Sequence, residues 1–160
     1  MTIIDQALVD KVSSEAKASP RLRMNYNFHL SLEDKCHRML NAVEPGSDIP
    51  IDLWSTSDAT RHSSYKYGSA LAAPSVHRHP DKDESFVVLR GKVRSTTYKD
   101  DGTVIESVVL SQEDGLYGVD IPKGVWHKLE SLESGSVVFE CKEGPFVPHE
   151  VDGILDIEKK

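Results

Sequence analysis

The strongest constraint on the fold is a series of short segments rich in β-branched and aromatic residues in the second half of the chain. Glycine, proline or serine clusters separate them, and Asp101-Gly102 is a strong signal for a hairpin turn. This pattern predicts antiparallel strands that build a β-sandwich or a barrel. The segments read SFVVLRGKVRSTTYK, TVIESVVLS, GVDIP, VWHKLESLE and SVVFECK.

The first part of the chain predicts helices instead. Apolar residues recur at helical spacing up to Pro20, which predicts a first helix over residues 3–18. A second apolar stripe predicts a helix from Leu32 to Val43, with Ser31 able to cap its first turn. The expected architecture is therefore mainly β, with two N-terminal α-helices.

Composition limits the classes of protein to which the chain can belong. With 160 residues, a formal charge of −7 and a pI near 5.5, it suits one acidic domain. This net negative charge argues against a protein whose main task is to bind nucleic acid or an anionic membrane. The start resembles no signal peptide, and no apolar run is long enough for a membrane span. We expect a cytoplasmic protein in which Cys36 and Cys141 stay reduced.

The segment HRHPDKDE, from His77 to Glu84, carries residues that could bind a metal. In an extended strand, residues i and i+2 point to the same face, so His77 and His79 can direct two imidazoles at one point. A turn could then bring Glu84 back on the next strand. Two nitrogens and a carboxylate oxygen suit zinc, iron, manganese, nickel or cobalt as a divalent ion.

A different interpretation is that these side chains lie on a solvated edge. The segment IPKGVWH counts against it, because a Pro-x-Gly turn leads there to a third histidine, His127, on another predicted strand. Gly91, which follows Glu84 after six intervening residues, also lies within a strong strand pattern. The two segments together favour a metal site.

The two segments resemble the paired motifs of the cupin superfamily. The first cupin motif contains His-x-His, then Glu and, after six intervening residues, Gly; His77, His79, Glu84 and Gly91 match these positions. The second contains Pro-x-Gly-x-x-His, which ends here at His127. The resemblance implies a small cupin barrel, a double-stranded β-helix or jelly roll, in which the three histidines and the glutamate hold one divalent metal.

Nearly the whole chain is similar, more narrowly, to the WbuC-type cupin metalloproteins, small bacterial proteins associated with surface-polysaccharide gene clusters. The similarity includes SPRLRMNYNFH, HRMLNAVEPG and HRHPDKDESFVVLRGKV. It implies a single domain over residues 1–160, with an N-terminal helical segment (1–45), a barrel (46–147) and a C-terminal tail (148–160). Residues 52–76 interrupt the first motif, since the glycine expected before His77 is Gly46, and are predicted to be an insertion.

Polar residues alternate in SPRLRMNYNFH, so an extended segment would place them on one face. Guanidinium and amide groups suit the binding of a carboxylate or phosphate beside a metal, although they could equally tie the segment to the barrel. The candidate substrate-binding residues are Arg21, Arg23, Asn25, Asn27 and His29. Lys142 and Glu143 could face the cavity, but we expect them on a solvated edge.

These observations leave three functions open. The first is a metalloenzyme, such as an isomerase, epimerase or oxygenase, acting on a sugar or sugar nucleotide in surface-polysaccharide metabolism. The second is a non-catalytic, metal-dependent protein that binds a sugar or small anion. The third is a structural cupin whose insertion has spoiled the site. The expected partner is a small polar or anionic molecule, with a homodimer as the expected assembly and no nucleic-acid or membrane partner.

Overall fold

The computed structural model describes residues 1–47 and 76–146, together with the backbone of residues 154–155. The predicted insertion, apart from Val76, lies outside these ranges, as does most of the predicted C-terminal tail. Within them, one helix and ten strands follow each other along the chain. They are α1 (Gln6–Ala18), β1 (Arg23–Asn27), β2 (Cys36–Val43), β3 (Val76–His77), β4 (Glu84–Arg90), β5 (Lys92–Tyr98), β6 (Val104–Ser111), β7 (Gly118–Ile121), β8 (Trp126–Ser131), β9 (Ser136–Glu143) and β10 (Ile154–Leu155).

The strands form two five-stranded sheets in which every pairing is antiparallel. The first sheet has the order β1-β2-β9-β4-β7, and the second has the order β10-β3-β8-β5-β6. Apolar side chains of both sheets meet in one core; Phe86 and Val88 come from the first sheet, and Val93 and Leu110 from the second. The prediction of a mainly β fold is confirmed.

The first predicted helix is confirmed as α1. Asp5 caps it, because its carboxylate accepts a hydrogen bond of 2.9 Å from the Leu8 N–H. Val12 and Ala16, both fully buried, pack against Leu40 and other side chains on the outer face of the first sheet. No helix in the described part of the chain has the length and apolar character needed to cross a membrane.

The second predicted helix, from Leu32 to Val43, is wrong, because residues 36–43 form strand β2. This strand lies between β1 and β9 in the first sheet, and side chains on both of its faces are buried over much of its length. Leu40 and Ala42 face α1, while Met39 is buried on the opposite face. A strand that is buried on both faces loses the alternation of polar and apolar residues, and its apolar positions then also fit a helical stripe.

Two motif glycines have structural reasons to be glycine. Gly91 turns the chain between β4 and β5 with φ of +79°, and a Cβ there would collide with Ser136. Gly124 has φ of +79° in the turn before β8, and its N–H donates a hydrogen bond of 2.8 Å to the carbonyl of His79. Gly124 thus connects the second motif to the first by a main-chain contact.

Candidate metal centre

The four predicted metal ligands come together between the two sheets. His77 on β3 lies directly opposite His127 on the neighbouring strand β8. Glu84 begins β4 in the other sheet, and His79 lies in the segment between β3 and β4. One potential ligand atom from each of the four residues lies within 4.8 Å of all the others.

The spacing of these atoms suits one bound ion. Glu84 Oε2 lies 3.0 Å from His127 Nε2 and 3.7 Å from His79 Nε2. Two atoms bound at about 2.1 Å from the same ion lie roughly 3.0–3.4 Å apart, depending on the coordination geometry. The cluster therefore needs only small adjustments to hold a transition metal.

The hydrogen bonds of His127 point to the same conclusion. Its Nδ1 lies 2.9 Å from the carbonyl oxygen of Val125, which can only accept, so Nδ1 carries a proton. In the neutral ring, Nε2 then presents a lone pair to the Glu84 carboxylate 3.0 Å away. Two acceptors at that distance require a proton or a cation between them. A metal ligand whose other ring nitrogen donates to a carbonyl is the usual arrangement at metal sites.

The protonation states also suit a metal. Burial lowers the pKa of His77 well below 6.5, and the neighbouring His127 adds to this effect, so the ring is neutral at pH 7. Burial raises the pKa of Glu84, but the charge of Lys142 and the contacts with His127 and His79 outweigh burial and bring this pKa well below 4.5. Neutral imidazoles and an ionised carboxylate are the forms that bind metal.

A chain of polar contacts extends from Glu84 across the first sheet. Lys142 Nζ donates hydrogen bonds to Glu84 Oε1 at 3.0 Å and forms an ion pair with Glu140 Oε1 at 2.8 Å. Asn41 donates from its side-chain amide to Glu140 Oε2. Burial raises the pKa of Glu140 to about 7, although Lys142 acts in the opposite direction. Burial lowers the pKa of Lys142, but Glu140 and Glu84 outweigh it and raise this pKa overall.

The expectation that Lys142 lies on a solvated edge is wrong, since only 17% of its side chain is exposed. Sequence reasoning also missed Glu140 and Asn41. A signal for Lys142 and Glu140 exists in SVVFECKE, where these two charged residues occupy alternate positions directly after the apolar run VVF. Alternate residues face the same side, so two charges there indicate a polar inner surface.

The predicted substrate-binding residues divide into two groups. In β1, Arg23, Asn25 and Asn27 alternate with Met24 and Tyr26, which pack on the core next to α1. The first three therefore belong to the opposite face of the sheet, which is the face of Asn41 and Glu140. Asn25 lies opposite Asn41 in the register, and its amide donates a hydrogen bond of 2.7 Å to Asn27. Their role in binding stays a prediction.

The other two members, Arg21 and His29, lie outside β1. The Arg21 N–H bonds the Ser19 hydroxyl at 3.2 Å, and its carbonyl accepts from Ser47 at 3.1 Å. His29 is buried and stacks on His37, with ring centroids 4.3 Å apart. This stacking holds the segment after β1 against β2, and a role of Arg21 and His29 in binding stays a prediction.

The family of the chain follows from its sequence. A family model described as a domain of unknown function, DUF6016, matches residues 4–59 and 70–110. The chain belongs to the DUF6016 family. The match contains His77, His79 and Glu84 but ends before His127. Among curated proteins, none is significantly similar to this DUF6016 protein.

Solved structures share the fold of this chain. CapF from Staphylococcus aureus, a capsular polysaccharide assembling protein, is 22% identical with a TM-score of 0.55, over 84% of this chain and 32% of CapF. The DUF6016 protein thus spans about a third of the length of CapF. A protein from Bacillus halodurans is 15% identical with a TM-score of 0.53, over 94% of this chain and 87% of that protein.

Proposed function

We propose that this DUF6016 protein is a metal-dependent cupin that binds a small polar or anionic molecule, such as a sugar or sugar nucleotide, and acts on it in surface-polysaccharide metabolism. The observation that carries the metal part of the proposal is the four-residue cluster, with its ligand atoms within 4.8 Å of one another. The WbuC-type resemblance supports the substrate class.

The residues of the cluster have distinct tasks in this proposal. His77, His79, Glu84 and His127 would hold the ion. A divalent metal with open positions supplies a Lewis acid that polarises a hydroxyl or carbonyl oxygen. Val125 fixes the ring of His127 through its carbonyl, and Lys142 fixes the Glu84 carboxylate from the side facing away from His127. Both contacts keep the ligands in place while a substrate exchanges.

The ligand would lie along the polar inner face of the first sheet. This face combines the Lys142 ammonium with amide and carboxylate groups that can bind several hydroxyls. Arg23 adds a guanidinium in β1, which suits a carboxylate or phosphate group. The amide and carboxylate groups belong to Asn25, Asn27, Asn41 and Glu140.

CapF, a capsular polysaccharide assembling protein, shares the fold of this chain. A sequence identity of 22% supports a shared fold and does not support a shared function. The place in polysaccharide metabolism therefore rests on the WbuC-type resemblance. An alternative, supported by the same inner face, is a binding protein that holds the sugar or anion without converting it. The homodimer and the cytoplasmic location stay predictions.

Calorimetric titration of the metal-loaded protein tests the binding proposal. Sugars, sugar nucleotides and small carboxylic acids are titrated against the metal-loaded and the chelator-treated protein. We expect at least one of these classes to bind only the metal-loaded form, and Arg23→Gln to weaken binding of an anionic ligand. Arg38→Gln is the matched control, since Arg38 is exposed on the other face of the sheet. Equal binding with and without metal would refute a metal-dependent function.

Analysis of the ligand after incubation separates the enzyme from the binding protein. Nuclear magnetic resonance of the bound ligand over several hours reveals conversion to an isomer, an epimer or an oxidised product. If the wild-type protein converts the ligand and the Glu84→Gln variant does not, the protein is an enzyme. Metal-dependent binding without conversion supports the binding protein.

A further inference from the structure

The first sheet carries a pair of cysteine thiols on the face opposite the metal centre. Cys36 begins β2 and Cys141 lies in the neighbouring strand β9, and their sulfur atoms are 3.7 Å apart. In the register, Cys36 lies opposite Glu143 and Cys141 lies opposite Arg38. The two cysteines are therefore diagonal neighbours on one face.

The position of the thiols makes them accessible from solvent. Cys36 is exposed and Cys141 is partly exposed. Helix α1 covers the part of this face around Leu40 and Ala42, further along β2. The residues that flank Cys141, Glu140 and Lys142, point to the opposite face and take part in the polar chain at the metal centre.

We propose that Cys36 and Cys141 are a redox modification site that forms a reversible intramolecular disulfide. The sulfur atoms must approach from 3.7 Å to a bond length of about 2.05 Å. Cys36 is the first residue of its strand, where the backbone can shift with little loss of pairing. The disulfide would tie β2 to β9, the two strands that carry Asn41, Glu140 and Lys142.

A small disulfide such as oxidised glutathione supplies the oxidant. The Cys36 thiolate attacks one of its sulfur atoms, so that a mixed disulfide forms and one glutathione thiolate leaves. The Cys141 thiolate then attacks the Cys36 sulfur and displaces the second glutathione. The two protons of the cysteine thiols are taken up by the two glutathione thiolates. The exposed Cys36 suits the first attack, and burial, with the hydrogen bond to Cys36, raises the pKa of Cys141.

Oxidation of the full chain with glutathione tests this proposal. The metal-loaded protein is incubated with oxidised glutathione, and free thiols, intact mass and disulfide-linked peptides are measured. We expect both thiols to disappear together, with a mass lower by two hydrogens, no retained glutathione and full reversal by dithiothreitol. A peptide that joins Cys36 to Cys141 identifies the bond.

Two variants distinguish this disulfide from separate reactions of the cysteines. Cys141→Ser should retain one glutathione on Cys36, because the resolving thiol is missing, and Cys141→Ala is used if the serine variant fails to fold. Cys36→Ser should react more slowly than wild type, because Cys141 is less exposed. Glutathione retained on the wild-type protein, or disulfides only between chains, would overturn the proposal.

Discussion

Lys142 Nζ lies 3.0 Å from Glu84 Oε1, while the other oxygen of that carboxylate lies 3.0 Å from His127 Nε2. One carboxylate thus connects a buried ammonium group to the candidate metal ligands. Lys142 also pairs with Glu140 at 2.8 Å, so a single positive charge serves two buried carboxyl groups. This arrangement has consequences for stability that can be measured.

Replacing Lys142 by methionine should strongly destabilise the metal-free protein. Removing one partner of a buried ion pair leaves an uncompensated charge and costs about 3–5 kcal/mol of the free energy of unfolding. Lys92→Met is the matched control, because Lys92 pairs at 3.1 Å with Asp114, whose side chain is 54% exposed. We expect that control to cost much less, because water and salt screen an exposed ion pair. Urea unfolding of both variants measures the difference, and equal losses would contradict the paired burial of Lys142.

Acid should destabilise the protein through the stacked pair His29 and His37. Burial is the largest cause that lowers the pKa of each ring below 6.5, and for His37 the charge of His29 is the next. The unfolded chain therefore binds protons more readily than the folded chain. The stabilising effect of these neutral rings is complete above pH 6.5 and is lost as the pH falls towards their lowered pKa values.

The test compares urea unfolding of metal-free wild type with the double variant His29→Gln/His37→Gln, from about pH 8 to about pH 5. The double variant should lose less stability over this range than wild type. Identical slopes for wild type and double variant would mean that these rings do not contribute to acid sensitivity.

Alanine at Gly91 should cost more stability than alanine at Gly46. Both glycines have positive φ angles, +79° and +80°, so each substitution carries a backbone cost of about 1–2 kcal/mol. At Gly91 the new Cβ also collides with Ser136, whereas nothing lies within 4 Å at Gly46. The collision adds about 1–3 kcal/mol. Thermal unfolding checks the order, and a Gly46→Ala loss as large as that of Gly91→Ala would contradict the close approach of β4–β5 to β9.

Removing residues 52–75 should leave a folded protein that still binds metal. The predicted insertion ends at Val76, but Val76 is buried against Tyr98 and Trp126, so the deletion stops before it. A shorter deletion of residues 60–69, which lie between the two matched blocks of the family model, serves as a comparison. Circular dichroism and metal content are measured for both. Loss of folding in the longer deletion alone would show that the flanking residues belong to the domain.

The cluster of candidate metal ligands was predictable from sequence because each motif is short and its geometry is local. His77 and His79 share a face in any extended segment, and the turn at Gly124 brings His127 onto the next strand. Residues 36–43 were not predictable in the same way. Their apolar positions fit a helix and a doubly buried strand equally, and only pairing with β1 and β9 decides between them.

The features that sequence analysis missed depend on long-range register. Cys36 and Cys141 are 105 residues apart, and nothing near either cysteine indicates the other. Their contact arises because β2 pairs with β9 in one particular register. The burial of Lys142 has the same origin, since that register and the pairing with β4 place it beside Glu84.

Elemental analysis of protein purified without chelator tests the metal centre most directly. We expect about one transition-metal ion per chain in wild type, as a single ligand cluster predicts. His79→Ala should lose this metal and keep its fold, while His37→Ala, which changes a buried histidine outside the cluster, should keep the metal. Wild-type protein without bound metal, or His79→Ala with unchanged metal content, would contradict the assignment of the site.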